Sequence, residues 1–368
     1  MSEARQWSND LRNTRTTGAI MGLFILRRFG VMLLTALCLT FVVFFLTNLY
    51  PNLEKLAKTQ GNQRMSDEQV ETWLDNRGYL QPTLVKYGQW LGVLPGFSKT
   101  LDDGTFLGTC TRPGSTEETT PRYCGVLQGD WGYSTVFKDE VGSIVGKRLG
   151  NTGYLMFWVL VLMVPSALLV GVLAGMREGS ALDRSLSTFS IITTATPEYV
   201  SGVIFIAIFT SSTVGLKWFK GTATQAMDNP TFENFFLPVL TIALYGMGYI
   251  ARMTRASMTE VMTAQYIRTA RLKGVSFGNI VMKHALRNAL IAPFTVIMLQ
   301  FPWLLNGVVI VETLFNYKGF GWALVQAAGN NDIQLLLAIS VVSVFVVLVT
   351  QLISDIGYVY LNPRIRIS

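Results

Sequence analysis

Few residues in this chain have the type and spacing for catalysis. The single histidine, His284, rules out a paired-histidine zinc motif. Gly142, Gly146 and Lys147 sketch a phosphate-binding loop, but the glycine spacing is wrong and Arg148 stands where Ser or Thr must follow the lysine. Gly274-Val275-Ser276-Phe277-Gly278 has the spacing of a serine nucleophile elbow. It joins two expected helices, however, and an elbow needs a strand before it. The expectation is a non-catalytic chain with no metal site, binding no cofactor of its own.

Two other sets of residues invite a role. Cys110 and Cys124 share a Thr- and Gly-rich segment and are expected to form a disulfide if that segment meets an oxidising compartment. Cys38 lies in an apolar run and reads as a small hydrophobe. Glu198, in Thr196-Pro197-Glu198-Tyr199, is an acid within an apolar region, and so a candidate cavity residue facing a cationic amine. The other reading is structural polarity in a helix broken at Pro197. Its depth stays open: mid-membrane if the helix starts at Leu186, near the inner interface if the apolar core is 200–219. Glu312 and Asp355 fall near the ends of apolar runs and read as solvated.

The elements that must position these residues follow from composition. Of 368 residues, 50% are hydrophobic and 14% charged, whereas a soluble domain is about one quarter charged. Six apolar runs approach the roughly 20 residues that span a bilayer: 29–50, 153–176, 186–210, 235–251, 290–311 and 333–358. With the N-terminus inside, sixteen Lys and Arg fall in the inner segments and three in the short outer loops. This is the positive-inside bias expected of a polytopic protein with both termini cytoplasmic. The net charge of +7 is thereby explained without nucleic acid.

The chain divides into a cytoplasmic arm (1–28), a first span (29–50), an extracytoplasmic insert (51–150) and a five-span core (151–368). Within the insert, residues 65–79 have helical spacing, Ser66 is placed to cap that helix, and Trp73, Trp90 and Trp131 offer apolar anchors. The core's inner segment, 252–287, carries an amphipathic helix expected over 259–273. Gly274 suits the left-handed position that ends it, and Ser276 the cap of a second, shorter helix. Such a basic stretch can rest on anionic headgroups. The small Thr269-Ala270 pair among large charged residues instead favours close approach by another protein.

The run Tyr266-Ile267-Arg268-Thr269-Ala270-Arg271-Leu272-Lys273-Gly274, followed by His284-Ala285-Leu286-Arg287-Asn288-Ala289, resembles the cytoplasmic loop of dipeptide and oligopeptide ABC importer permeases. Gly129-Asp130-Trp131-Gly132-Tyr133-Ser134, Val311-Glu312-Thr313-Leu314-Phe315 and Asn362-Pro363-Arg364-Ile365-Arg366 resemble further segments of that family. Two features depart from it: Lys318 stands where the family usually has Pro before Gly319, and the Cys-containing stretch 95–125 is an addition.

The resemblance implies an all-α polytopic protein with the six-helix type I importer permease fold, in a bacterial inner membrane. It implies a paralogous permease, two cytoplasmic ATPases carrying ATP and Mg, and an extracytoplasmic substrate-binding protein as partners. The 259–287 loop would be the ATPase coupling element, with Tyr266, Arg268, Thr269, Ala270, Arg271, Gly274, His284 and Arg287 at the contact. Cargo is expected among di- and oligopeptides, though the family also moves metal chelates, opines and some oligosaccharides. The alternative is an ion-coupled carrier or channel needing no ATPase. Proton or sodium coupling wants several acids meeting at midplane, and the sequence offers Glu198 alone.

Overall fold

Among the described residues four helices are long and apolar enough to cross a bilayer unbroken: α1 (Leu26–Thr47), α5 (Val141–Gly175), α8 (Phe232–Thr263) and the helix beginning at Ile333. The computed structural model describes residues 26–211 and 216–361, with side chains assigned for all but 301–307 and 358–361. The arm up to residue 25 and the Asn362 to Arg366 run lie outside the described residues.

The other two expected spans are not straight. Residues 186–210 divide into α6 (Ala181–Ala195) and α7 (Glu198–Phe209), bent by 104°. Pro197 has no amide hydrogen and disfavours helical geometry in the residue before it, so Thr196 is extended, with ψ 119°. The second bend, of 49°, falls at Leu290, where a short irregular helix meets α12 (Ile291–Leu314). The chain closes with α13 (Phe320–Gly329) and α14 (Ile333–Leu361).

Packing centres on α5 and α8, which run parallel. Near their starts the rings of Tyr154 and Phe235 lie 5.3 Å apart, and near their ends Gly171 and Gly175 face Thr254 and Met258. At about 1.5 Å per residue, α5 and α8 are each longer than the ~30 Å hydrocarbon layer. The first turns of α5 (Val141, Ile144, Val145) join Phe320, Ala327 and Leu335 of α13 and α14 in one cluster. The last turns of α8 (Met258, Met262) enter another cluster at the opposite end. α1 runs antiparallel to α14, with Phe44 against Leu337 and Val341 at one end and Arg28 paired with Asp355 at 3.0 Å at the other.

Between α1 and α5 the chain builds α2 (Tyr50–Gln60), α3 (Asp67–Asp75), α4 (Thr83–Leu91) and two small hairpins, β1 (Ser98–Thr100) with β2 (Phe106–Gly108) and β3 (Tyr133–Ser134) with β4 (Asp139–Glu140). Ser66 and Gln69 form a reciprocal capping box at the start of α3. Cys110 and Cys124 are joined as a disulfide. The three tryptophans pack as anchors: Trp73 among Leu53, Val70 and Leu74, and Trp90 and Trp131 against Phe44 and Tyr87. Ser134 donates to Asp332 at 2.5 Å, tying this region to the start of α14.

At Gly171 an added Cβ would lie 2.4 Å from Thr254 Cβ and 2.6 Å from the Ala251 carbonyl oxygen. Gly171→Val must therefore push α5 off α8, costing about 1–3 kcal/mol or more. Thermal denaturation in detergent should show a clearly lowered Tm, while Gly153→Ala, where a Cβ meets nothing within 4 Å, should melt like the parent.

Candidate functional site

The chemistry-bearing loop forms at the end of α8. That helix runs straight on to Thr263, and Ala264, with φ −63° and ψ 148°, breaks it. The single amphipathic helix expected over 259–273 is thus two: the tail of α8 and α9 (Gln265–Leu272). Gly274 follows with φ +74°, a left-handed geometry that costs glycine little and strains a residue bearing a Cβ. Ser276 occupies the cap position of α10 (Phe277–Asn279), but its side chain makes no capping bond. A π-helical turn, Ile280–Ala285, and α11 (Leu286–Ala289) complete the segment.

The faces of α9 separate cleanly. Ile267 and Ala270 are buried with Met258, Met262, Ile280, Val281 and Ala285. Tyr266, Arg268, Thr269, Arg271 and Gly274 are exposed, and Leu272 is 82% exposed. His284 and Arg287 are exposed on the following segment, which is tied back by Asn288 Nδ2 donating to the Tyr266 hydroxyl at 3.0 Å. Ala270 is corrected by this geometry: it does not offer a small outer surface, because one helical turn after Ile267 it faces the protein's own core. Leu272, absent from the expected contact set, is the most exposed large apolar side chain of the region. An uncompensated leucine on the polar face was its signal in the sequence.

An ion pair braces this unit. Arg255 of α8 grips Asp183 of α6 with both arms of its guanidinium, Nε to Oδ1 at 2.5 Å and Nη2 to Oδ2 at 2.8 Å. Asp183 also accepts from the Gly179 amide and the Ser187 hydroxyl, at 2.9 and 3.0 Å, and Ser180 caps its helix. Nearby, the Arg177 guanidinium lies 5.6 Å from the centre of the Phe277 ring. The α5–α6 turn, α8 and the loop after α9 are thus cross-linked by charge and packing. Ser180 followed three residues later by an acid was a legible capping signal; its partner 72 residues away was not.

At the opposite end, the solvated reading of Glu312 is overturned. It is fully buried, accepting from Thr152 Oγ1 at 2.5 Å and from the Trp322 amide at 2.9 Å. The neighbouring Lys318 carbonyl accepts from Arg148 and Asn151, at 2.9 and 3.0 Å, so the loop holds its shape with lysine before Gly319. Asp355 remains partly exposed beside Arg28. Glu198 opens α7 directly after the bend, half-buried and without a hydrogen bond among the described residues.

Residues 167–367 match the family model for the binding-protein-dependent transport system inner membrane component. The chain is similar to a probable peptide ABC transporter permease of Sinorhizobium fredii, 35% identical over 66% of this chain and 77% of that one. It is 29% identical to an oligopeptide transport system permease of Bacillus subtilis, over 82% of this chain and 87% of the relative. A putative peptide transport system permease of Brucella melitensis is also 29% identical, over 94% and 99%. The matched region begins within α5 and takes in α8, its brace to α6 and the α9 loop, and the chain belongs to the family of binding-protein-dependent transport system inner membrane components.

Proposed function

We propose that this chain is one of two permease subunits of an ATP-driven peptide importer and that α9 transmits the motion of a cytoplasmic ATPase. The observation that carries this reading is a short helix presenting Tyr266, Arg268, Thr269, Arg271 and Leu272 outward while its other face is locked to the end of a membrane-length helix. A paralogous permease completes the pathway, two ATPases bind ATP and Mg, and a substrate-binding protein delivers cargo from outside. The names of the relatives support peptide cargo.

Six spans follow if each bent pair crosses once. Because α5 and α8 are parallel, α6 and α7 must carry the chain back across, bend included. Ser354 of α14 donates to the Met298 carbonyl at 2.6 Å, and Ser257 to the Ala289 carbonyl at 2.9 Å. These bonds and the Arg28–Asp355 pair bring the start of α1, the end of α14 and the α9 loop to one side. That side carries most of the basic excess and is assigned to the cytoplasm of an inner membrane. The expected insert of 51–150, whose last ten residues open α5, then faces outward, where an oxidising compartment maintains the Cys110–Cys124 bridge.

Glu198 sits half-buried at a helix start beside a proline break and is proposed to line the pathway. If it meets cationic cargo, Glu198→Gln should lower uptake of cationic peptides severalfold and spare neutral ones, measured by parallel transport assays. Equal uptake of both would remove that role.

Tagged chain purified from native membranes should bring a second permease and an ATPase; isolation alone would support a carrier that needs neither. Leu272→Glu should insert normally yet weaken ATPase retention, since burying a leucine stabilises by about 1.5–3 kcal/mol. Gly274→Val should add roughly 1–3 kcal/mol of strain at a positive φ and uncouple hydrolysis from binding-protein loading. Ala270→Trp should instead lower the chain's own melting temperature, because the added ring enters its core.

Asp183→Asn leaves Arg255 without its countercharge. Breaking a buried pair costs about 3–5 kcal/mol, less here because the Arg255 side chain is 31% exposed. Both Tm and binding-protein-stimulated ATP hydrolysis should fall, and Arg255→Lys should recover only part, having lost the two-armed grip.

A further inference from the structure

A cavity of about 80 Å³ lies between the end of α1, α4 and the start of α14, with Arg77, Tyr79, Lys86, Gln89, Trp90 and Asp130 in its lining. Its charges are unbalanced. Lys86 is about nine-tenths buried, and among the described residues its ammonium donates only to neutral oxygens, the Tyr79 carbonyl at 2.9 Å and Asn48 Oδ1 at 3.4 Å. Arg77 stacks 4.0 Å over the Trp73 ring and donates to that residue's carbonyl. Among the described residues neither cation has a carboxylate partner. The acid in the lining, Asp130, is held by the Arg112 guanidinium and the Gly132 amide.

Two polar atoms here are buried with no partner among the described residues, the Trp90 Nε1–H and Gln89 Oε1, and Gln89 is itself more than nine-tenths buried. A buried ammonium without a countercharge and an idle indole donor are both costly. One ligand chemistry relieves them together. We propose that this cavity is an anion site, taking an oxyanion of carboxylate or phosphate size between Lys86, Arg77 and the Trp90 Nε1–H. Burial pulls the Lys86 ammonium below its ordinary pKa, and a bound anion would restore it. The cavity adjoins the outer end of α1, so the oxyanion can come from a phospholipid headgroup or from solution.

The experiment uses the purified complex in detergent. Sodium phosphate and sodium acetate are titrated calorimetrically against sodium chloride at equal ionic strength, and native mass spectrometry scores retained phospholipid. Phosphate or acetate binding that weakens at least ten-fold in Lys86→Met, and about ten-fold in Trp90→Phe, assigns a soluble oxyanion. Phospholipid retained by the parent and by Lys58→Met, a control on α2 whose lysine pairs with Glu54 outside the cavity, but lost in Lys86→Met assigns a headgroup. Trp90→Phe keeps an aromatic ring beside Phe44 and Tyr87, so it reports on the site even if Lys86→Met fails to fold. A parent that binds neither anion nor phospholipid overturns the proposal, as does binding that both variants leave unchanged.

Discussion

The close approach of α5 and α8 organises this molecule. Lipid tails are as apolar as leucine, so membrane helices gain little by hiding apolar surface from lipid and associate instead through tight packing. Gly171 and Gly175, four residues apart, supply the flat stripe that lets the α5 backbone meet Ala251, Thr254 and Met258 of α8. Once these helices are held parallel, their connection must return along them. The chain does so through the bent α6–α7 pair, which packs beside α8.

Polar groups then secure the ends. In an apolar molecule a buried carboxylate is expensive unless hydrogen-bonded, and Asp183, Glu312 and Asp332 are each buried, hydrogen-bonded more than once and tied to at least one other element. Asp183 joins α6 to α8, Glu312 joins α12 to α5 and α13, and Asp332 joins β3 to α14. Each fixes a register that apolar side chains, which slide at little cost, leave loose. The α9 loop inherits this rigidity through the shared cluster of Met258, Met262, Ile267 and Ala285.

The region between α1 and α5 obeys different physics. Its helices are short, its hairpins two or three residues deep, and its order comes from the Cys110–Cys124 link, the aromatic group around Tyr87 and contacts to α14. Tyr87 reaches Thr40 at 2.9 Å, so α4 leans on α1 well below that helix's end.

The sequence alone determined the helices that depend on local length and apolarity, the cap at Ser66, the break at Pro197 and the positive φ of Gly274, because these arise within a few residues. It also identified the family, since Tyr266 to Ala289 is a contiguous run. Which face of α9 points outward was decided only by tertiary structure: Ala270 and Thr269 differ by one residue and 100° of rotation, and a neighbouring cluster chooses between them. The pairing of Asp183 with Arg255, the burial of Glu312 and the unbalanced charges around Lys86 were likewise beyond reading in one dimension. Each rests on groups separated by tens to hundreds of residues, and only the packed chain brings them within hydrogen-bonding distance.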